Sequence, residues 1–283
     1  MTGLRRVMVT GAAGQLGSTI VARMRHECDV VALTRSELDI GDDAAVLAAA
    51  RAAAPDAIIN CAAYNDVDGA EDAAFACFAG NAFGVRALAR AAAATGAVFI
   101  HYGTDFVFDG LAQRPYDEED RPGPLSTYGT AKLLGEWFAL EAPNAYVLRV
   151  ESLFGGHPAK SSVDKILTAI QTDQPVRVFT DRTVTPSYVG DVTMATMELL
   201  ARRPAPGVYH CVNSGITTWL GIAEELARLL ERQPEIIAVK SADVKLRARR
   251  PQYCALSNDK LARVGVAMPS WQDALRRHIT SVR

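Results

Sequence analysis

A glycine-spaced turn between an apolar strand and an amphipathic helix is the feature that most constrains this fold. Residues 7–10 form a β-branched apolar run, which is typical of a buried parallel strand. Gly11, Gly14 and Gly17 follow, and the apolar positions of 18–24 repeat with a helical period. Glycines let the backbone approach a pyrophosphate, which the amides of a helix N-terminus bind. The stretch predicts a dinucleotide-binding turn, and the alternative is an ordinary turn before a helix.

The rest of the first half alternates strands with helices, which predicts β-α-β units and a doubly wound parallel sheet of the α/β class. Small residues follow the third strand at Ala62, Ala63 and Tyr64, where ligands bind in such sheets. The pair Asp42 and Asp43 is placed to cap the second helix, and Thr217 or Thr218 a later one. Trp271 is expected in the core. Strands are expected at 29–33, 56–59, 97–101, 176–179 and 209–212, and helices at 42–54, 67–94 with a break near Gly80, 163–170, 192–201, 217–231 and 270–279.

Composition and charge exclude several classes of protein. The 283 residues carry a net charge of −2, so a nucleic-acid partner is not expected. No apolar run approaches the roughly 18 residues of a membrane span. The five cysteines are scattered and odd in number, which argues against a disulfide framework and a zinc site and favours a reducing cytoplasm. We expect no metal site.

The candidate chemistry lies in a tyrosine and a lysine placed four residues apart. Tyr128 and Lys132 share one face of the helix that opens near residue 126. A nearby ammonium favours a phenolate, so we expect Lys132 to lower the pKa of Tyr128 from about 10. The tyrosine could then protonate a carbonyl oxygen while hydride adds to carbon, and Thr104 could bond that oxygen. The alternative is a surface pair at chance spacing.

Cofactor preference is read at the end of the second strand, which faces the adenosine ribose in a dinucleotide fold. Arg35 lies there, and residues 34–36 include no acidic side chain. An arginine can pair with a 2′-phosphate, so NADPH is expected. NADH and a solvated surface arginine remain the alternatives.

Together these motifs resemble the extended short-chain dehydrogenase/reductases, and finer matches resemble the dTDP-4-dehydrorhamnose reductase family. The matching stretches span nearly the whole chain. They include 11–17, 60–71, 104–110, 128–136, 147–155, 186–191, 207–215 and 250–256. The resemblance implies a Rossmann domain at 1–155 and a smaller sugar-nucleotide lobe at 156–283, with 186–212 returning to the Rossmann sheet. It also implies reduction of a 4-keto nucleotide sugar.

The resemblance also implies the roles of individual residues. Tyr128 matches the proton donor, Lys132 the residue that tunes it and holds the nicotinamide ribose, and Thr104 the residue that orients the carbonyl. The expected cofactor-binding residues are Gly11, Gly14, Gln15, Leu16, Gly17, Arg35, Asp39, Ile40, Ala62, Ala63, Tyr64 and Asn81, together with Tyr128 and Lys132. The expected substrate-binding residues are Val67, Asp68, Thr104, Asp105, Phe106, Ser152 and Arg250, with Arg249 a weaker candidate.

Departures from the family pattern cluster around the expected sugar. Gly103 stands where the family has serine, Phe106 where it has tyrosine, and Ser152 where it has tryptophan. Residues 182–185 lack the usual glutamine and glycine.

Three functions follow as alternatives: reduction of dTDP-4-dehydrorhamnose, reduction of another nucleotide-linked keto sugar, and a non-catalytic NADP-binding regulatory subunit. A homodimer is left open.

Overall fold

A six-stranded parallel sheet forms the centre of the computed structural model, which describes residues 3–281. The strand order is β10-β5-β4-β3-β1-β2, and every neighbouring pair in this sheet is parallel. The strands are β1 (Arg6–Thr10), β2 (Asp29–Leu33), β3 (Ala57–Asn60), β4 (Val98–Thr104), β5 (Ala145–Val150), β6 (Leu153–Phe154), β7 (Val176–Phe179), β8 (Thr183–Val184), β9 (Ser187–Tyr188), β10 (Gly207–His210), β11 (Thr217–Thr218) and β12 (Ile236–Val239).

Helices cover both faces of the sheet, so the expected doubly wound α/β class is confirmed. One face packs residues such as Val9, Ile20 and Val192, and the other packs Met8 and Leu88. The helices are α1 (Gln15–Met24), α2 (Asp43–Ala53), α3 (Ala74–Phe78), α4 (Gly84–Thr95), α5 (Thr127–Ala139), α6 (Ser162–Gln171), α7 (Val189–Arg202), α8 (Trp219–Leu230), α9 (Asp259–Arg263) and α10 (Trp271–Ser281).

The strand order reverses between β1 and β3. The chain moves outward from β1 to β2 and then crosses to β3, β4 and β5 on the other side. Helices on opposite faces leave a crevice at such a point, above the carboxyl ends of the strands. Thr10 and Asn60 end β1 and β3 at this point, and their side chains are hydrogen-bonded at 2.8 Å.

A second core lies beyond β5, where α6, α8 and α10 pack around Phe154, Leu226 and Trp271. Trp271 is buried there, as the sequence predicts. Short strand pairs join this part, namely β6 with β9, β7 with β12, and β8 with β11. β10 lies beside β5 at the edge of the main sheet, inside the range 186–212 that was expected to return to it.

The predicted break near Gly80 in the helical segment 67–94 is confirmed, because a π turn interrupts the helix there, but the regular helix begins later than predicted. A 3-10 turn at Gly69–Glu71 and the short α3 precede a π-helical turn at Ala79–Phe83, and α4 follows. The Asn81 side chain lies in the π turn and bonds both backbone groups of Tyr64, at 2.8 and 2.9 Å. These long-range bonds hold the turn against the loop that follows β3.

Two predicted helix caps are confirmed. The Asp42 carboxylate accepts from the amides of Ala44 and Ala45, and the Thr218 hydroxyl accepts from the amide of Gly221.

Within residues 3–281, no helix combines the length and apolar character needed to cross a membrane.

Candidate active site

The glycine turn brings the start of α1 directly against the loop after β3. Gly11 has a φ of 67°, and a Cβ added there would lie 2.5 Å from the amide nitrogen of Ala62. A Cβ on Gly17 would overlap the carbonyl oxygen of Gly11. Both positions therefore require glycine for close packing of strand and helix, which leaves the N-terminus of α1 open to a phosphate.

Most of the predicted site residues lie around one crevice of about 640 Å³ at this edge of the sheet. Thr104, Tyr128 and Lys132 line it opposite the glycine turn. The other predicted residues along its walls are Gly14, Gln15, Leu16, Gly17, Ala62, Ala63, Val67, Asp105, Phe106 and Ser152. The crevice therefore brings the expected phosphate turn and the expected catalytic side chains together.

Local structure fixes the three expected catalytic residues. Thr104 ends β4, and its hydroxyl donates to the Asp105 carboxylate at 3.0 Å. Ser126 caps α5 by accepting from the amide of Gly129, so Tyr128 and Lys132 fall one turn apart on a helix that contacts β4. The Tyr128 ring meets the edge of the Phe106 ring at 5.6 Å between centroids.

The expectation that Lys132 lowers the pKa of Tyr128 is wrong for this structure. Burial raises the pKa of Tyr128, and the neighbouring Asp105 carboxyl raises it further. A side-chain hydrogen bond with Thr104 acts in the opposite direction and is outweighed. Tyr128 therefore holds its proton firmly, as a donor must before the reaction.

Lys132 is almost completely buried, and its ammonium donates to the backbone carbonyl of Tyr102 at 2.6 Å. Burial lowers the pKa of Lys132 to about 8, and Glu136, one turn further along α5, opposes this shift. At neutral pH, Lys132 is therefore a buried cation on the wall of the crevice.

Gly103, which stands where the family has serine, lies against a buried ion pair. Arg149 donates to both carboxylate oxygens of Glu136, at 2.9 to 3.2 Å, and both side chains are buried. A Cβ on Gly103 would overlap the carboxylate of Glu136. The space that a serine needs is occupied by the ion pair, which explains the departure physically.

Several expected cofactor residues lie off the crevice walls. Arg35 and Asp39 are exposed beyond β2, and Asp39 accepts from the amide of Gly41. Ile40 is buried against α4, close to Gly84. Asn81 is buried and supports Tyr64 from behind, as described above. Their roles in cofactor binding stay predictions.

Two expected substrate residues form an ion pair with each other. Arg250 donates to both oxygens of the Asp68 carboxylate, at 2.7 and 2.9 Å, and this pairing lowers the pKa of Asp68 to about 2. Arg250 and the exposed Arg249 line a separate cavity of about 440 Å³. Contact of these residues with substrate stays a prediction.

Other crevice residues were not singled out as site residues from the sequence. Lys160 and Trp219 come from the second part of the chain, and no local motif marks them. Arg182 lies in the stretch 182–185, which departs from the family pattern, and Asn60 and Cys61 lie in the matching stretch 60–71.

One cluster of buried side chains was not predicted from the sequence. Asp105, Glu151 and Cys254 place two carboxylate oxygens and a thiol sulfur within 4.8 Å of one another, although no set of metal ligands was expected.

A doubly wound sheet with a glycine turn facing a Thr-Tyr-Lys set defines the short-chain dehydrogenase/reductase class. A sequence model described as RmlD substrate binding domain matches residues 5–283. The chain belongs to this family, which confirms the resemblance and the reductase class read from the motifs.

Characterised relatives are similar over almost their full length. The dTDP-4-dehydrorhamnose reductase of Sinorhizobium fredii is 35% identical over 284 residues, covering 96% of each chain. A probable dTDP-4,6-dihydroxy-2-methyloxan-3-one 4-ketoreductase of Streptomyces antibioticus is 35% identical, covering 96% of this chain and 93% of its own. The dTDP-4-dehydrorhamnose reductase of Bacillus anthracis, solved in complex with NADP, superposes with a TM-score of 0.93 at 29% identity, covering 98% of this chain and 99% of its own.

Replacement of Lys132 by methionine should stabilise the protein at neutral pH. The buried ammonium costs free energy, and the lost bond to the Tyr102 carbonyl offsets part of the gain, so we expect about 1 to 2 kcal/mol. The folded pKa lies near 8 and the ordinary value is 10.5, so wild-type stability rises between these pH values as the folded protein sheds the proton first.

Urea unfolding across pH 7 to 10.5 measures this difference. The advantage of Lys132→Met should shrink as the pH rises, while Lys165→Met at an exposed position of α6 should change little at any pH. A Lys132→Met protein less stable than wild type at pH 7 contradicts the buried-cation description.

Proposed function

We propose that this chain is an NADPH-dependent reductase of the 4-keto group of a dTDP-4-keto-6-deoxy sugar, acting in a reducing cytoplasm. The favoured reaction converts dTDP-4-dehydrorhamnose to dTDP-L-rhamnose or a close relative. The observation that carries the proposal is the single crevice between the glycine turn and the side chains of Thr104, Tyr128 and Lys132. The five free cysteines fit a reducing compartment.

The crevice suits a dinucleotide, because Gly11 and Gly17 hold the N-terminus of α1 open at one end and Lys132 faces the other. The exposed Arg35 after β2 favours a 2′-phosphate and therefore NADPH, with NADH as the alternative. A relative of this family binds NADP in the solved Bacillus anthracis structure.

The side chains have distinct tasks in the proposed reaction. NADPH supplies the hydride that adds to C4 of the sugar. Tyr128 donates its proton to the keto oxygen, which requires the protonated phenol that burial favours. Thr104 orients that oxygen, and the ammonium of Lys132 stabilises the phenolate left behind. Loss of the Lys132 proton near pH 8 should weaken this stabilisation.

A second candidate is reduction of a different nucleotide-linked keto sugar. Ser152 lines the crevice where the family has tryptophan, with a φ of 46° that turns the chain between β5 and β6. Arg182 faces the same space. The similarity to the Streptomyces antibioticus ketoreductase, which is named for another keto sugar, supports this candidate.

We expect wild-type protein to oxidise NADPH with dTDP-4-dehydrorhamnose. Tyr128→Phe should lower kcat by about 10² or more, because the ring remains and only the acid is removed. NADPH binding, followed by fluorescence, should change little.

Tyr146→Phe is the matched control, since its hydroxyl bonds the carbonyl of Pro204 away from the crevice. Full turnover by Tyr128→Phe refutes the assigned proton donor. Activity on another keto sugar alone supports the second candidate. Binding of NADPH without turnover of any keto sugar supports a regulatory subunit.

We also propose that the protein forms a homodimer through an apolar patch on α3, α5 and the π turn, which contact one another. Its residues Phe75, Phe83, Trp137 and Leu140 are exposed by 40 to 86%. Such a patch is typical of an interaction surface, and a two-fold axis through it would pair it with itself.

Trp137→Glu should convert a dimer to a monomer in sedimentation or light scattering, because the charge would be buried at the interface. Leu111→Glu changes a more exposed apolar side chain elsewhere and should leave the mass unchanged. A wild-type protein that sediments as a monomer contradicts the proposal.

A further inference from the structure

The least expected group in the crevice region is Glu151, which lies in the turn after β5 and is almost completely buried. Its Oε2 accepts from the amide of Thr185 at 2.6 Å and from the hydroxyl of Thr185 at 2.5 Å. Its Oε1 is buried and has no hydrogen-bond partner among the residues that the structure describes. Oε2 therefore accepts two hydrogen bonds, whereas Oε1 accepts none from the residues that the structure describes.

The unpartnered oxygen indicates that Glu151 carries a proton. A charged carboxylate with an oxygen that lacks donors is costly in a buried site, and protonation of the carboxyl removes the charge. The Asp105 carboxylate lies within 4.8 Å and opposes a second negative charge. Burial and Asp105 accordingly raise the pKa of Glu151, and burial raises the pKa of Asp105 to about 6.

The other groups that face this pair leave it with a single shared proton. Arg182 acts on both carboxyls and favours one negative charge between them. The Cys254 thiol is held neutral, because burial and the two carboxyls raise its pKa. Burial and Glu151 together raise the pKa of Tyr253, so this phenol is neutral as well.

A continuous set of side chains joins this pair to the proton donor of the proposed reaction. Thr104 donates to Asp105 at 3.0 Å, and the same hydroxyl acts on Tyr128, whose pKa it lowers and with which it lines the crevice. The order from the buried acid to the phenol is thus Glu151, Asp105, Thr104, Tyr128.

We propose that Glu151 and Asp105 store one proton and return it to Tyr128 through the hydroxyl of Thr104 after each reduction. The inference rests on the proposed reductase function. It assigns Glu151 as a proton-supplying residue that touches neither substrate nor cofactor.

The protons balance over one cycle. Tyr128 gives its proton to the keto oxygen as hydride adds to carbon, and a phenolate remains. The phenolate takes the proton of the Thr104 hydroxyl, which takes the proton held by Asp105 and Glu151. The pair then carries two negative charges beside Arg182 and recovers one proton from water when the product leaves. Burial raises the pKa of Tyr128, which makes its phenolate a strong base, and Arg182 lowers the pKa of both carboxyls, which favours release of the stored proton.

Infrared difference spectroscopy tests the stored proton without any substrate. Wild-type protein at pH 7 should show the carbonyl band of a protonated carboxylic acid, and Glu151→Gln should lose it. Glu118→Gln is the matched control, since Glu118 is a partly buried carboxyl outside the crevice that accepts from the amide of His210. Carboxylate bands alone at pH 7 overturn the proposal and instead indicate a bound cation at this cluster.

Rapid mixing of the enzyme, in the presence of a several-fold excess of NADPH, with excess keto sugar tests the relay itself. The first turnover uses the proton already on Tyr128, so Glu151→Gln should oxidise one equivalent of NADPH at the wild-type rate. Later turnovers require Tyr128 to be reprotonated, so in Glu151→Gln they should slow by about 10-fold or more. Glu118→Gln should behave as wild type.

Slowing of the first and later turnovers alike indicates a structural role and overturns the relay, as does no slowing at all. If the wild-type protein oxidises no NADPH with any keto sugar, both the proposed function and the relay are refuted. In that case the infrared band still decides whether Glu151 holds a proton.

Discussion

The burial of the Lys132 ammonium beneath the crevice is the constraint on which the rest of the site depends. The charge cannot reach bulk water, so the structure must place a carbonyl and a carboxylate near it. The carbonyl of Tyr102 accepts directly, and Glu136 lies one turn away on α5. The bond to Tyr102 ties α5 to β4, and this contact helps to place Tyr128 near Thr104.

A buried ion pair between Glu136 and Arg149 lies beside the Lys132 ammonium. Glu136 also pairs with Arg149 of β5, and this pair fills the space beside Gly103. The guanidinium of Arg149 lies 5.0 Å from the centre of the Phe108 ring, which shields it further. Three neighbouring elements, β4, β5 and α5, are thereby joined by polar contacts under the catalytic face. Polar groups in this position favour a defined geometry at a cost in stability.

The sheet and the position of the crevice could be predicted from the sequence because both follow from local patterns. Apolar runs alternate with helical periods, and the glycines at 11, 14 and 17 mark the turn where strand and helix meet. The spacing of Tyr128 and Lys132 requires only a helix to bring them onto one face. A break near Gly80 was predicted, but its π-helical form was not, because it depends on bonds between Asn81 and Tyr64, seventeen residues away.

The electrostatics of the site could not be predicted from the sequence. The direction of the Tyr128 pKa shift depends on how completely α5 is covered, and no spacing rule gives that. The neighbours of Glu151 come from the turn after β4, from the segment after β8 and from residue 254, which are far apart along the chain. The charged groups in and beside the crevice are therefore brought together only by the tertiary fold.

The central claim, a buried lysine that is charged at neutral pH and poised to lose its proton, is tested most directly by titration of Lys132 itself. Nitrogen-15 NMR of the side-chain amino groups, with the Lys132 resonance assigned from its absence in Lys132→Met, gives the midpoint in the intact protein. The account predicts a Lys132 midpoint near 8. A Lys132 midpoint above 10 would contradict it.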